Sequence, residues 1–249
     1  MSKFTGQDRN VNEDIFEEKL EDYIGNSPFT SVDKLNNFTK YITRQSLSRF
    51  LCKYEIFKKA LNIDGSIIEC GVLFGGGVMS FAQLSAIFEP VNYTRKIIAF
   101  DSFKGFPSLS EKDKKSKSVY AKEEGLSVDS YNDLLKSIEL FDMNRPVGHV
   151  PKVELVRGDA NITIPKYIED NPHVVVSLLY LDFDVYEPTK TALKYFIPRM
   201  PKGSIIAFDE LNSPHWPGET IAVLEDLSLK DYKIERFPFN SYISYTVQG

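Results

Sequence analysis

The sequence predicts a single α/β domain built on a mostly parallel sheet, with helices on both faces and an antiparallel C-terminal edge. Three observations carry this. Apolar runs bounded by glycine or acid alternate with helix-period segments from residue 65 onward. Those runs are apolar at nearly every position, as strands buried on both faces are. The last two, "YKIERFPF" and "YISYTV", follow one another with no helical segment between, as an antiparallel pair allows.

Composition sets the bounds. With 249 residues, 42% hydrophobic and 13% aromatic, the chain can bury a full core without disulfide or metal staples. A net charge of −5 argues against a nucleic-acid partner. Cys52 and Cys70 form no metal-type or disulfide spacing. There is no apolar leader and no uninterrupted membrane-length window, so neither export nor a membrane partner is expected, and the expected location is cytoplasmic.

Taken in order, residues 1–31 read as a polar, acidic arm and residues 32–249 as the domain. Residues 32–61 carry a helical pattern, with Leu47, Phe50, Leu51, Tyr54, Phe57 and Leu61 near i, i+3, i+4 spacing. "GSIIECGV" reads as the first strand, followed by a glycine turn and the apolar helix "VMSFAQLSAIF". "RKIIAFD", "KVELVRGD" and "VVVSLLYLDFD" give the next three strands. A helix follows in "EPTKTALKYFIPRM", with Pro188 where a first-turn proline is tolerated. "GSIIAFDE" is the fifth strand and "GETIAVLEDL" another helix. Residues 108–125 are too polar to pack and read as a solvated loop; the sharper reading is a flap over a site.

The chemistry-bearing residues gather at strand ends. In doubly wound sheets that is where ligands sit. Glu69 lies near the end of the first strand, ahead of Gly71, Gly75, Gly76 and Gly77. Such a turn lets backbone approach a ligand, and the helix that follows offers free N–H groups. The spacing is neither G-x-G-x-x-G nor a phosphate loop; it better suits a ligand with a ribose and an amino-acid tail. Asp101 ends the second strand, where an acid can accept from ribose hydroxyls or cap a helix. Ser102 and Phe106, in "FDSFKGFP", lie where a nucleoside could be walled, and Asp159 ends the third strand within reach of an adenine amino group.

Asp182 and Asp184 end the fourth strand, and Asp209 and Glu210 end the fifth. Carboxylates gathered at one point repel unless a cation sits among them, and oxygen-only donors suit Mg²⁺, Mn²⁺ or Ca²⁺. The alternative is structural: an acid capping the next helix and another ending a strand.

Together, "IIECGVLFGGG", "IIAFDSFKGFP", "LDFDVYEPTKTAL" and "GSIIAFDELN" resemble the macrocin O-methyltransferase (TylF) family of class I S-adenosylmethionine-dependent enzymes, closest to a branch acting on nucleotide deoxysugars such as rhamnose. The resemblance spans roughly residues 40–249. It implies a Rossmann-like seven-stranded sheet, S-adenosylmethionine as methyl donor and a divalent metal. It would place Glu69, Gly71, Gly75 and Gly76 around the methionine end of the cofactor, Asp101 on the ribose and Asp159 on the adenine. Asp182, Asp209 and Glu210 would hold the metal. Asp184 would be the general base, a role Asp182 could share. The family usually has two aspartates where this chain has Asp209-Glu210.

Arg44 and Arg49 could hold a cofactor carboxylate or a substrate phosphate, or simply face solvent. His215 and Trp216, in "NSPHWPGET", could wall an acceptor sugar. The expected partners are a sugar or nucleotide-sugar acceptor and, from the aromatics in the first 60 residues, a second copy of the chain. A catechol-type acceptor would also suit vicinal oxygens at Mg²⁺. Two competing readings are a nicotinamide-dependent dehydrogenase, disfavoured by the missing glycine fingerprint, and a cofactor-binding or assembly protein without chemistry.

Overall fold

The computed structural model describes residues 11–249, so the first ten residues of the arm lie outside the described residues. Two compact units are present, Met1–Ser48 and Arg49–Gly249. The first carries α1 (Val11–Asn26), which buries none of its side chains, and α2 (Ser31–Asn36). A capping box starts α2: the Thr30 hydroxyl accepts from Asp33 N, and the Asp33 carboxylate accepts from Thr30 N. The continuous helix expected over 32–61 is therefore two. α2 stops at Asn36, a 3₁₀ turn covers Phe38–Lys40, and α3 (Arg44–Ala60) begins where Thr43 Oγ1 accepts from Ser46 N at 3.1 Å. Local side-chain to backbone bonds outcompete the apolar period there.

The second unit contains the sheet. Its strands are β1 (Ser66–Cys70), β2 (Ile97–Asp101), β3 (Val153–Arg157), β4 (Val176–Leu181), β5 (Ile205–Phe208), β6 (Glu235–Phe237) and β7 (Asn240–Val247), in the order β3-β2-β1-β4-β5-β7-β6. Pairing is parallel from β3 to β5 and antiparallel from β5 through β7 to β6, as the sequence predicts.

Side-chain alternation splits each strand between two cores. On one face Ile67, Ala99, Tyr180 and Ala207 pack with α3, with α4 (Gly76–Phe88) and with α5 (Tyr131–Asn144). On the other, Ile68, Phe100, Leu179 and Ile206 pack with α6 (Ala160–Asp170), α7 (Tyr186–Phe196) and α8 (Pro217–Asp226).

Register positions the site. Cys70 pairs with Phe100 on one side and Leu181 on the other, and Leu181 pairs with Phe208. The next residues, Gly71, Asp101, Asp182 and Asp209, therefore form one row across the carboxyl ends of four adjacent strands. Asp182 N donates to Cys70 O at 2.7 Å and Asp209 N to Leu181 O at 3.0 Å, extending the ladder by one step.

Candidate active site

The glycine turn is shaped by its neighbours. Gly71 has φ +97°, and a Cβ there would stand 1.9 Å from the Asp182 carbonyl oxygen. Only glycine lets the β1 and β4 ends come this close. Asp101 Oδ2 accepts from Val72 N at 2.7 Å and Leu73 N at 3.2 Å, while Oδ1 accepts from Phe103 N at 2.6 Å. Asp101 thus holds the turn itself, with lone pairs left for a ligand. Gly75, in the left-handed region, is the N-cap of α4, and Gly76 opens the helix. A Cβ on Gly77 would meet Glu69 Oε1 at 1.7 Å.

Glu69 is buried on the α3 side of β1, with Oε1 3.9 Å from Lys53 Nζ. Its Oε2 has no hydrogen-bond partner among the described residues. Burial pushes its carboxyl up to about 7, against the pull of Lys53. A close-approach turn, a helix N-terminus and an unsatisfied buried acid suit the methionine end of S-adenosylmethionine.

The acids sit on the same face. Arg49 and Lys53 stand one turn apart on α3. Arg49 Nη2 donates to both oxygens of Asp209, at 2.8 and 2.7 Å, and lies 3.8 Å from Asp182. Tyr180 Oη donates to Asp209 Oδ1 at 2.5 Å, and Lys53 Nζ lies 3.5 Å from the centre of the Tyr180 ring. Burial raises the Asp209 pKa, but Arg49, Lys53 and the Tyr180 hydroxyl outweigh it and hold the carboxyl below its ordinary value. Its neighbours go the other way. Burial, then the Asp209 charge, pushes Asp182 well up; burial, then Glu210 and Asp209, does the same for Asp184. Burial and Asp209 bring Glu210 to about 7.

Asp184 is a buried non-glycine residue at φ +64°, between the end of β4 and the start of α7. Such backbone is costly for most residues, though aspartate tolerates it better than most, and it clusters at active sites. The site also includes an acid the sequence reading passed over. Glu219, in the first turn of α8, is fully buried. Its Oε1 accepts from Glu210 N at 3.3 Å, and its Oε2 has no partner among the described residues.

Other expected residues are less clustered. Asp159 is the N-cap of α6 and accepts from Asn161 N at 2.9 Å. Ser102 Oγ donates to Gly105 O at 2.5 Å, closing the turn that presents Phe106. Phe106 and Trp216 meet edge to face with ring centres 5.6 Å apart, which brings together two residues proposed for different walls. The His215 carbonyl accepts from Ser116 Oγ. Arg44 is exposed at the first residue of α3. Residues 108–125 are not a purely solvated loop: Lys117 N donates to Pro214 O at 3.2 Å, and Asp113 is buried.

The donor set suits an oxygen-loving cation in kind, since five carboxyls gather there and one buried carboxylate oxygen has no partner. Its arrangement differs from the expected one. Among the described residues, no three of His, Cys, Asp and Glu are placed as a metal-ligating group, and Asp209 is held by Arg49 instead. A guanidinium at hydrogen-bond distance satisfies both Asp209 oxygens in place of a cation.

The macrocin-O-methyltransferase (TylF) family profile matches residues 41–223. The chain belongs to the TylF family. TylF membership makes it an S-adenosylmethionine-dependent O-methyltransferase and sets aside the dehydrogenase reading. Among solved structures, CalS11, a calicheamicin methyltransferase, is 33% identical over 100% of both chains, with a TM-score of 0.92. The apo structure of CalS11, described as a TDP-rhamnose 3'-O-methyltransferase, is 32% identical over 97% of this chain and 96% of that one, with a TM-score of 0.83. The O-methyltransferase NovP, at 20% identity over 80% of this chain and 79% of that one, shares the fold, with a TM-score of 0.64. No curated protein sequence matches the chain at a significant level. Among the described residues no helix is long and apolar enough to cross a membrane.

Proposed function

We propose that the chain moves the methyl group of S-adenosylmethionine to a hydroxyl of a nucleotide deoxysugar, with Asp184 as general base. The carrying observation is the row of strand ends, which sets the glycine turn directly beside a buried group of acids. Full-length likeness to an enzyme described as acting on TDP-rhamnose supports the acceptor class.

S-adenosylmethionine supplies a sulfonium methyl when bound. Glu69 and the Gly71–Gly77 turn hold its amino-acid end, and Asp101 stands at the ribose side. The acceptor oxygen forms the new C–O bond as the C–S bond breaks, and sulfur keeps the electron pair. The acceptor proton passes to the deprotonated Asp184 carboxylate as the oxygen attacks. Asp182, nearer to solvent, orients the neighbouring hydroxyl. A divalent cation on Asp182, Asp209 and Glu210 would supply Lewis acidity to the acceptor oxygen, provided Arg49 leaves Asp209. Phe106, His215 and Trp216 line the acceptor side.

The test is release of S-adenosylhomocysteine with TDP-rhamnose, related nucleotide deoxysugars and catechol as acceptors. Turnover on a nucleotide deoxysugar is expected. Asp184→Asn should lower kcat by ~10²- to 10⁴-fold while S-adenosylhomocysteine still binds. Turnover on catechol alone, or an undiminished Asp184→Asn enzyme, would sink the reading.

A further inference from the structure

The connection from β2 to α5, residues 102–130, is long, polar and lysine-rich, yet it buries one acid. Asp113 is only 3% exposed. No cation pairs with it among the described residues; it is satisfied by N–H and O–H groups instead. Oδ2 accepts from Ser110 N at 2.9 Å and Ser110 Oγ at 2.8 Å. Oδ1 accepts from Tyr186 N, in the first turn of α7, at 3.0 Å.

That last bond supplies what α7 lacks. Its own N-cap residue is Val185, which has no side-chain oxygen and makes no capping bond. Free N–H groups at a buried helix start are costly, and a carboxylate there also meets the positive end of the helix dipole. Space has been cleared for it: a Cβ on Gly218, in α8, would stand 2.0 Å from Asp113 Oδ1. Three segments thus converge on one carboxylate. Nearby contacts continue the seam, from Lys112 to Glu225 and from Ser116 to the His215 carbonyl.

Asp184 lies two residues before Tyr186, in left-handed backbone. We propose that Asp113 is a positioning residue for methyl transfer: it clamps the 102–130 connection to the start of α7, fixing the Asp184 carboxylate and closing the acceptor side. This rests on the reading of Asp184 as the base. Asp113 itself touches no reacting atom.

The test compares Asp113→Ala and Asp113→Asn with the wild type in three readouts. These are kcat and KM on a nucleotide deoxysugar, S-adenosylhomocysteine affinity, and tryptic nicking at Lys112, Lys114, Lys115 and Lys117 of the folded protein. Asp113→Ala should lower kcat by ~10- to 100-fold, as misplacing a reacting group by about 1 Å does, with cofactor affinity unchanged and nicking accelerated. Asp113→Asn, which keeps an acceptor oxygen for Tyr186 N, should recover most of the rate. Gly218→Ala crowds both partners of that bond, Asp113 Oδ1 at 2.0 Å and Tyr186 N at 2.6 Å, and should match Asp113→Ala, which covers the case where that variant folds poorly. Wild-type kcat and nicking in Asp113→Ala, or a rate loss equalled by loss of cofactor affinity in both Asp113→Ala and Gly218→Ala, overturns the proposal. If the wild type methylates no sugar, the functional reading fails, and unchanged nicking would still overturn the clamp on its own.

Discussion

Replacing Arg49 by glutamine removes the only guanidinium seen on Asp209 among the described residues. The wild-type contacts are 2.8 and 2.7 Å to the two Asp209 oxygens, with Asp182 at 3.8 Å. Breaking a fully buried pair by deleting one partner costs ~3–5 kcal/mol. The Arg49 side chain is 40% exposed, however, while Asp209 is 3% exposed, so solvent already screens part of the attraction. The Tyr180 hydroxyl and Lys53 also remain beside Asp209. A loss of about 2 kcal/mol is therefore expected, or roughly 4–8 °C in Tm for a chain of this size. Urea and thermal unfolding in chelator measure it. Adding Mg²⁺ should then restore stability to Arg49→Gln more than to the wild type. Saturation at a hundredfold over Kd would give about 2.7 kcal/mol. An Arg49→Gln protein as stable as the wild type in chelator would refute the claim that the guanidinium carries Asp209. Equal Mg²⁺ gains in both proteins would refute competition for that carboxylate.

Two further outcomes are expected. Gly77→Ala would place a Cβ 1.7 Å from Oε1 of the buried Glu69, so that carboxyl must shift; S-adenosylhomocysteine titration should show weakened binding, with Tm lowered as overpacking of about 1–3 kcal/mol requires. Glu210 is raised to about 7 by burial and Asp209, so the folded protein keeps its proton above the ordinary value of 4.5. Its contribution to stability is full below pH 4.5 and is lost as pH rises through 7, a swing of at most about 3 kcal/mol. Asp182, Asp184 and Glu219 are shifted in the same direction. Glu210→Gln in chelator should therefore flatten the decline in stability between pH 4.5 and 7, as urea midpoints would register; an unchanged slope counts against the assigned cause.

The strand ends were legible because their apolar runs stop at acids or glycine, and a parallel sheet places such stops together. What escaped the sequence has particular causes. α5 is not among the expected helices, although it carries a stripe with Leu134, Ile138 and Phe141 buried; a lysine and an acid between those positions dilute the apolar signal. α6 contains Pro165, which a linear reading takes for a breaker. Arg49 and Asp209 are 160 positions apart, and an arginine on an amphipathic helix looks the same whether it meets water or a buried acid. Asp113 hides in the most soluble-looking segment of the chain, since one buried group among many exposed ones leaves no periodic trace. Glu219 has the same ambiguity: an acid in a helix first turn is common for reasons of charge alone.

The near-contact of Gly71 with the Asp182 carbonyl oxygen has a consequence for how this enzyme could diversify. On the proposed reading, the donor turn and the acceptor-side acids meet there backbone to backbone, with no side chain at Gly71 to be traded for a larger or smaller one. A substitution that widened the gap for a bulkier acceptor would also tilt the donor turn, so the two cannot be tuned separately at that seam. The same reading assigns variation in acceptor choice to the outer rim, where residues 102–130 and 212–216 meet through polar and aromatic contacts that can be exchanged one at a time. Directed libraries aimed at new acceptors should be placed there, and lineages that changed acceptor should have kept glycine at 71.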